Sequence, residues 1–571
     1  MQTSTIAEKL FISILIILVC FLFAAFISPP IGSPYSNEEI KIYYHPATQK
    51  IDIMSADIKS NKTETGNILL RVCKNEYEPF SILLYASQPT SDIKLKWNNF
   101  DGDTELPDSI MEAFVVKGWY QAGITSKDIR YDKKIFTQEL LLKNDSLVLV
   151  DTTTEKNFLR VINGEGIIEY IDITSPENVF PDSVNIYDSA DLLPFTIDSN
   201  SVKQLWFTIN VPEYAAPGNY SNTIQFMIDD AIIKTQQIEL EVLPFELDSS
   251  IITYGLFYHG KLRGEDHKYS FYKKSEEQLT LELTDLRDHG VFYPTTYNTD
   301  EDLIKDLAIR KKLGFPCDKV FHVGLDLFSN YPQTESEIDS LLDIIAETKR
   351  IVDEMDAGQL YVYGVDEASG KDLIKQRAGW KAAKEIGVKM FVAVNRDAVN
   401  LVGDLLDVAI LYGKLNSNQA SQYHSMGNQI FSYHNPQVGQ ENPEIYRRNY
   451  GLALWKAGYD GAMNYAYFKA YGSVWNDFDD PKKRFREETF VYPTSNGLIS
   501  TIQWEGFREG VDDVRYLSTL LNRINQLEEL GFNVSELNEW VDAIDPKNDL
   551  DQVRNDIIDK ILEIDSDYLS Q

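Results

Sequence analysis

The chain has 571 residues, of which 43% are apolar, so it can bury several cores and about two to four domains are expected. A formal charge of -34 and a pI near 4.6 make nucleic acid and anionic membrane surfaces poor partners, because phosphate binding needs clustered lysine and arginine. A neutral ligand fits this composition better.

The first predicted element is an apolar segment near the start of the sequence. Residues 10–28 form a run of 19 residues, which is close to the ~20 residues that span a bilayer. No A-x-A-like cleavage site follows, which favours an uncleaved membrane anchor over a cleaved signal peptide. We assign residues 1–34 to this segment and expect the rest of the protein outside the cell, either membrane-anchored or secreted.

Residues 35–248 show short strands between turn signals, with little helical periodicity. The predicted strands are 41–44, 67–72, 80–85, 147–150, 205–211, 223–228 and 238–242. Such a series predicts a β-sandwich domain. The region has no phosphate loop and no metal-ligand spacing, so we expect an accessory or packing domain.

From residue 249 to 504 the pattern changes to an alternation of strands and helices. Eight strands are predicted, at 253–259, 291–297, 320–325, 360–366, 390–395, 408–412, 430–434 and 461–467. Eight such units predict a (β/α)8 TIM-type barrel, a fold of ~250 residues. Residues 505–571 are helical and charged and form the predicted C-terminal extension, so the fold class is α/β plus all-β.

The predicted fourth strand ends in two adjacent carboxylates, Asp366 and Glu367. In parallel α/β folds the catalytic groups collect at the carboxyl ends of the strands. The structural interpretation is that Asp366 caps the following helix and Glu367 is a solvated acid in its first turn. Taken alone, the pair supports both interpretations about equally.

The other predicted strand ends are also polar or aromatic, and each residue singly is more often part of the scaffold than a ligand contact. Together they describe a cleft suited to a neutral sugar, with Tyr297 and Asp326 at two further strand ends. The candidate substrate-binding residues are His259, Asn395, Tyr412, Tyr433, His434, Asn464, Tyr467 and Trp475. No element carries a His-x-x-x-His or a His/carboxylate spacing, so we expect neither a metal nor a cofactor.

The seventh predicted strand ends without a carboxylate, in the sequence Phe431-Ser-Tyr-His-Asn-Pro436. A retaining glycosidase with two carboxylates needs a nucleophile ~5–5.5 Å from its acid, whereas some families use the 2-acetamido group of the substrate instead. In that route Asp366 would orient the acetamido group and stabilise the charged intermediate. Glu367 would protonate the leaving oxygen.

The sequence resembles glycoside hydrolase family 123, the β-N-acetylgalactosaminidases, and their uncharacterised relatives. The resemblance rests on Asn75-Glu-Tyr-Glu-Pro-Phe80, the segment 212–220, the Asp366-Glu367 pair and the stretch 508–517. It implies that Asp366 is the stabilising residue, that Glu367 is the general acid/base and that the ligand is an N-acetylhexosamine-containing glycan.

Two segments depart from the family pattern. The chain has Met463-Asn-Tyr-Ala-Tyr467 where relatives show Leu-Arg-Trp-Ala-Tyr, and it has Gln503 where they carry arginine before Trp-Glu. The exact sugar therefore stays open. The alternative to an enzyme is an inactive surface carbohydrate-binding or structural protein on the same scaffold.

Overall fold

The computed structural model describes residues 40–53, 66–123, 133–178, 183–262, 269–325, 328–329 and 331–569. The predicted anchor at residues 10–28 and the predicted site residue Asp326 lie outside the described residues. Within these described ranges, no helix is both long enough and apolar enough to cross a membrane.

Two sheets of five strands form the first half of the chain. One sheet has the antiparallel order β1-β3-β11-β6-β7, and the other has the order β2-β13-β12-β4, with β5 also pairing with β12. A separate three-stranded sheet, β10-β9-β8, comes between β7 and β11 in sequence. The strands are β1 (Ile40–His45), β2 (Ile68–Val72), β3 (Tyr77–Ala86), β4 (Lys94–Lys96), β5 (Asp101–Gly102), β6 (Met111–Gln121), β7 (Ile135–Leu142), β8 (Val148–Asp151), β9 (Lys156–Ile162), β10 (Ile168–Asp172), β11 (Ser201–Asn210), β12 (Gly218–Ile228) and β13 (Ala231–Val242).

The two larger sheets share one apolar core, as the alternating sequence pattern predicts. Ile82 and Leu84 of β3 meet Ile224 of β12 and Leu240 of β13 in this core, and all four side chains are buried. Side chains at alternate positions of a strand point to the same face. Only one face of each sheet therefore has to be apolar, and the core closes between the two sheets.

A seven-stranded parallel sheet follows, in the order β14-β22-β21-β20-β19-β18-β17. Its strands are β14 (Thr253–Leu256), β17 (Lys319–His322), β18 (Gln359–Tyr363), β19 (Lys389–Val394), β20 (Val408–Tyr412), β21 (Gln429–Tyr433) and β22 (Gly461–Asn464). Short pairs surround it, namely β15 (Lys261–Leu262) with β16 (Lys273–Lys274), β23 (Phe468–Lys469) with β24 (Glu488–Thr489), and β25 (Val491–Pro493) with β26 (Leu498–Ser500). Seven of the eight predicted barrel strands thus occur in one parallel sheet.

The complete eight-stranded barrel is not confirmed, because the predicted second strand at residues 291–297 does not form a strand. It makes one isolated parallel bridge, from Thr296 to His322. The backbone N–H of Thr295 donates to Leu256 (2.9 Å) and that of Thr296 donates to Phe321 (2.9 Å). Pro294 interrupts the segment, and proline has no N–H to donate to a strand ladder.

Helices cover the parallel sheet and form the C-terminal part of the chain. They are α1 (Glu276–Asp288), α2 (Asp300–Lys312), α3 (Glu335–Glu354), α4 (Gly370–Lys375), α5 (Arg377–Glu385), α6 (Ala398–Val402), α7 (Ser417–Ser425), α8 (Pro443–Tyr450), α9 (Leu452–Lys456), α10 (Ile502–Glu529), α11 (Ser535–Asp542) and α12 (Leu550–Ile564). Thr334 caps α3 in a reciprocal capping box with Glu337, which satisfies two free N–H groups of the first turn. The domain boundaries at residues 248 and 504 stay predictions.

Candidate functional site

The adjacent carboxylates lie in the turn that follows β18, at the carboxyl edge of the parallel sheet. The turn begins at Gly364, where an added Cβ would lie 2.6 Å from the indole of Trp380. The backbone N–H of Val365 donates to Oε1 of the buried Gln376 at 2.8 Å. This close packing fixes the chain where the two acidic residues leave the sheet.

Glu367 has a backbone conformation that is unusual for its residue type, with φ at 49°. A side chain held in this left-handed region costs of order 1–3 kcal/mol, and such strain concentrates at functional sites. The N–H of Glu367 donates to the carbonyl of Ala393 on the neighbouring strand at 3.0 Å. The turn is thereby tied to β19, and the Glu367 carboxylate accepts a short hydrogen bond from Tyr433.

Asp366 is held by a different tyrosine. The hydroxyl of Tyr363 donates to its Oδ1 at 2.7 Å and accepts the N–H of Ala393 at 3.2 Å. Although solvent reaches Asp366, surrounding protein atoms limit its hydration and raise the pKa of this carboxyl. The hydrogen bond from Tyr363 opposes that shift, and the charge of Glu367 adds to it.

The two carboxylates open into a cavity of about 470 Å³ with largely aromatic walls. A volume of this size suits a monosaccharide-sized ligand, since small-molecule sites occupy roughly 300–1,000 Å³. The lining residues are Phe257, His259, Tyr297, Val323, Tyr363, Asp366, Glu367, Ala393, Tyr412, Tyr433, His434, Gln437, Tyr465, Tyr471, Phe485 and Glu488.

His259, predicted from the end of the first strand, forms part of the aromatic wall. Its ring stacks on Tyr297 with centroids 4.8 Å apart, and its Nε2 is 3.3 Å from the hydroxyl of Tyr465. Burial lowers its pKa to about 3, and the ammonium groups of Lys469 and Lys274 add to this shift. The imidazole is therefore neutral at physiological pH, so it supplies a flat surface and a hydrogen bond rather than a charge.

Tyr412, the last residue of β20, and His434, which directly follows the neighbouring strand β21, form a second aromatic pair. Their rings stack with centroids 4.3 Å apart, and the Tyr412 hydroxyl lies 3.1 Å from Nε2 of His434. His434 also has a left-handed backbone, with φ at 51°, and its N–H donates to Oδ1 of Asn464 at 2.9 Å. Two strained residues, Glu367 and His434, thus flank the cavity.

Four predicted site residues do not line this cavity. Asn395 is exposed beside a neighbouring surface depression, whereas Asn464 is fully buried and also donates to the carbonyl of Pro436 at 3.1 Å. Tyr467 is fully buried, and its hydroxyl donates to the carboxylate of Asp285 on α1. Trp475 is buried, and its indole N–H donates to the carbonyl of Pro493 on β25. Asn464, Tyr467 and Trp475 therefore support the surrounding loops.

Nine of the sixteen lining residues were not predicted from the sequence, among them Tyr363, Tyr465 and Glu488. Tyr363 could have been found, because it is the last residue of β18 and precedes Asp366 by three residues. Tyr465 follows β22. Burial raises the pKa of its hydroxyl, and the charges of Glu488 and Asp366 raise it further. Glu488 lies far along the chain, is 3% exposed and accepts a hydrogen bond from Tyr471 at 2.9 Å, and no local pattern marks it.

The described residues contain no group of three or more His, Cys, Asp or Glu side chains arranged to hold a metal ion. The acidic groups of the cavity are accompanied by tyrosine hydroxyls, which donate hydrogen bonds to Asp366, Glu367 and Glu488. This arrangement can hold carboxylates in fixed orientations and can exchange protons with a bound sugar.

No family model matches the chain, and no curated protein matches its sequence. Among solved structures, the chain is similar to a family 123 glycoside hydrolase from Clostridium perfringens that was studied for glycolipid glycan hydrolysis. That match has a TM-score of 0.62 at 12% identity and covers 93% of this chain and 100% of the other. A GH2 β-galacturonidase from Eisenbergiella tayi matches at a TM-score of 0.32 and 10% identity, over 83% and 97% of the two chains, which is too distant to carry an argument. The protein therefore has the overall fold of a family 123 glycoside hydrolase.

Proposed function

We propose that this protein is a glycoside hydrolase, and that it is an exo-acting β-N-acetylhexosaminidase of the N-acetylgalactosaminidase type. The observation that carries the proposal is the pair Asp366 and Glu367, each held by its own tyrosine in a sugar-sized aromatic cavity. The similarity in fold to a family 123 enzyme supports the same class of reaction.

The two carboxylates would divide the chemistry of a substrate-assisted retaining reaction. The 2-acetamido oxygen of the sugar attacks the anomeric carbon, and ionised Asp366 stabilises the positive charge that develops on the ring so formed. Glu367 gives its proton to the leaving oxygen and then accepts one from the attacking water. Because Tyr433 donates to Oε1 of Glu367, the transferable proton belongs on Oε2.

The experiment compares an aryl β-N-acetylgalactosaminide with the matching aryl β-galactoside, which lacks the acetamido group. We expect turnover of the first substrate alone. Asp366→Asn should lower the rate by ~10²–10³-fold. Glu367→Gln should lower it by ~10²–10⁴-fold on a poor leaving group and much less on an activated one. The matched control is Asp372→Asn, an exposed carboxylate on α4 that pairs with Lys375, and it should retain the wild-type rate.

Glu488 provides a second test of the mechanism, because it is a third carboxylate in the same cavity. A fluorinated sugar that traps glycosyl-enzyme esters should leave the protein unlabelled if the substrate supplies the nucleophile. An ester on Glu488, or rapid cleavage of the plain galactoside, would contradict the proposal. Sugar binding without any turnover would support the inactive carbohydrate-binding alternative instead.

The proposed location is outside the cell, with residues 10–28 as a membrane anchor or secretion signal. This part of the proposal rests on the apolar sequence alone. Full-length protein should sediment with membranes, and a chain that begins after residue 30 should be soluble and equally active. Protein in the medium whose chain begins near residue 30 would indicate a cleaved signal.

A further inference from the structure

A second cavity, of about 490 Å³, lies at the opposite edge of the parallel sheet. Tyr254, near the start of β14, and Tyr293, at the start of the next extended segment, mark this amino-terminal edge. Asp366 instead follows the carboxyl end of β18. The two cavities have no lining residue in common among those described.

Two sequence blocks that the catalytic pair leaves unexplained meet at this second cavity. Residues 75–80 contribute Asn75 and Tyr77, and residues 508–517 contribute Arg508 and Arg515. Positions 508, 512 and 515 are four and three apart, so they share one face of α10. One part of the cavity wall is thus formed by one face of α10 and the beginning of a strand in the sandwich.

The opposite face of the same two blocks has a separate, structural role. Glu76 accepts hydrogen bonds from the backbone N–H of Cys73 at 2.7 Å and from the hydroxyl of Tyr516 at 2.7 Å. Glu78 accepts from Arg554 at 2.9 Å. These contacts join the sandwich to the C-terminal helices. They do not explain why the residues that face the cavity, such as Arg508 and Arg515, are polar.

Three arginines line the cavity in a chain whose net charge is -34, against two aspartates. Arg287 forms an ion pair with Asp288. Arg515 donates a hydrogen bond from Nη1 to Oδ1 of Asp512 at 2.9 Å. Arg508 is 6% exposed and donates to Glu505 through Nη2. Its Nε has no hydrogen-bond acceptor among the described residues.

A buried guanidinium donor without an acceptor costs about 1–3 kcal/mol, and more when the group is charged. The guanidinium of Arg508 is also held in place, since its carbon lies 4.8 Å from the centre of the Tyr77 ring. Fixed guanidinium groups match the geometry of carboxylate, sulfate and phosphate oxygens. The volume exceeds that of an inorganic ion and lies in the range of small-molecule sites.

We propose that this cavity binds a small anion that carries a carboxylate, sulfate or phosphate group, which Arg508 and Arg515 recognise. The site is independent of the proposed hydrolysis, because its residues lie apart from Asp366 and Glu367. An inorganic ion and a sugar acid share this chemistry, and the probes below distinguish them.

Titration calorimetry on the full chain tests the proposal with three probes, namely sodium sulfate, sodium glucuronate and glucose, in a low-chloride buffer. We expect at least one anion to bind, glucose not to bind, and added salt to weaken the anion's affinity. Sulfate binding alone would identify an inorganic oxyanion, and glucuronate binding would identify a sugar-sized acid. The absence of saturable anion binding with Kd below about 10 mM would overturn the proposal.

The variant Arg515→Gln should weaken anion binding about tenfold or more, as expected when a charged hydrogen-bond donor is removed. Arg523→Gln is the matched control, because Arg523 lies two turns further along α10 and pairs with Asp565 at 2.8 Å. It should bind the anion as the wild type does. Equal affinities in Arg515→Gln and the control would overturn the proposal.

If Arg515→Gln fails to fold, as judged by near-ultraviolet circular dichroism, Asn75→Asp gives the second variant. Asn75 is exposed, lines the cavity and has a left-handed φ of 59° that aspartate tolerates. The added negative charge should reduce anion binding by repulsion, and the reduction should shrink at high salt. Unchanged binding in a folded Asn75→Asp protein would overturn the proposal.

Discussion

Replacing Arg554 with methionine should weaken the attachment of the sandwich to the C-terminal helices. Arg554 lies on α12 and is 5% exposed. Its Nε donates to Asp513 at 2.6 Å, and its Nη1 lies 2.9 Å from both Glu78 and Glu509. Methionine keeps most of the apolar stem but removes the guanidinium that contacts all three carboxylates.

The expected loss follows from the partners that remain. Removing one member of a buried ion pair costs ~3–5 kcal/mol, because the other charge is left uncompensated. Arg447 still donates to Asp513 at 2.8 Å, so we expect the lower end, about 3 kcal/mol, at pH 8. In a cooperative unit of ~150–250 residues this corresponds to a fall in Tm of roughly 6–12 °C.

The loss should depend on pH. Burial raises the pKa of Glu76 to about 8 and that of Glu509 to about 7, and the charge of Arg554 opposes both shifts. Because the folded values lie above the unfolded ones, the stability from these groups is fully present below the unfolded pKa of about 4.3 and is lost progressively until the pH passes the folded values of about 7 and about 8. Without Arg554 both pKa values rise further, so the variant should lose more stability at pH 8 than at pH 6.

Thermal unfolding followed by tryptophan fluorescence at pH 6 and pH 8 provides the measurement. The control is Arg523→Met, which removes a partly exposed ion pair with Asp565 and should cost about 1 kcal/mol or less. Equal losses of Tm for Arg554→Met at the two pH values would refute the reasoning. A loss as small as that of the control would refute it as well.

Two further predictions concern β18, the strand that precedes the acidic pair. Tyr363→Phe removes the hydrogen bond that lowers the pKa of Asp366. The acid limb of the profile of kcat/KM against pH should therefore move to higher pH. An unchanged acid limb would show that the ionisation of Asp366 does not control catalysis. Gly358 precedes β18 with φ at 75°, and an added Cβ would lie 2.4 Å from the backbone of Asp318, so Gly358→Ala should cost at least ~2 kcal/mol in urea unfolding. Gly387→Ala has a similar φ but its Cβ would be 3.7 Å from its nearest neighbour, so it should cost less, and equal losses would contradict the steric argument.

The sequence determines the repeating elements of the fold because burial follows local periodicity. The predicted strand at 408–412 has the same ends as β20, and the predicted strand at 430–434 differs from β21 by one residue at each end. The position of Asp366 and Glu367 just beyond a buried strand is also a local property. Pro294 is also a local feature of the sequence, and it explains why residues 291–297 do not form the predicted strand.

Only the tertiary structure decided which side chains share the cavity. Tyr433 reaches Glu367 across 66 positions of the chain, and Glu488 belongs to the short strand β24, beyond the last strand of the parallel sheet. Asn464 and Tyr467 lie at the end of the predicted eighth strand, where the residues are as polar as at the other predicted strand ends, yet both are fully buried in the scaffold. Strand pairing and loop path set these outcomes, and they depend on contacts between distant segments that no local pattern of residues encodes.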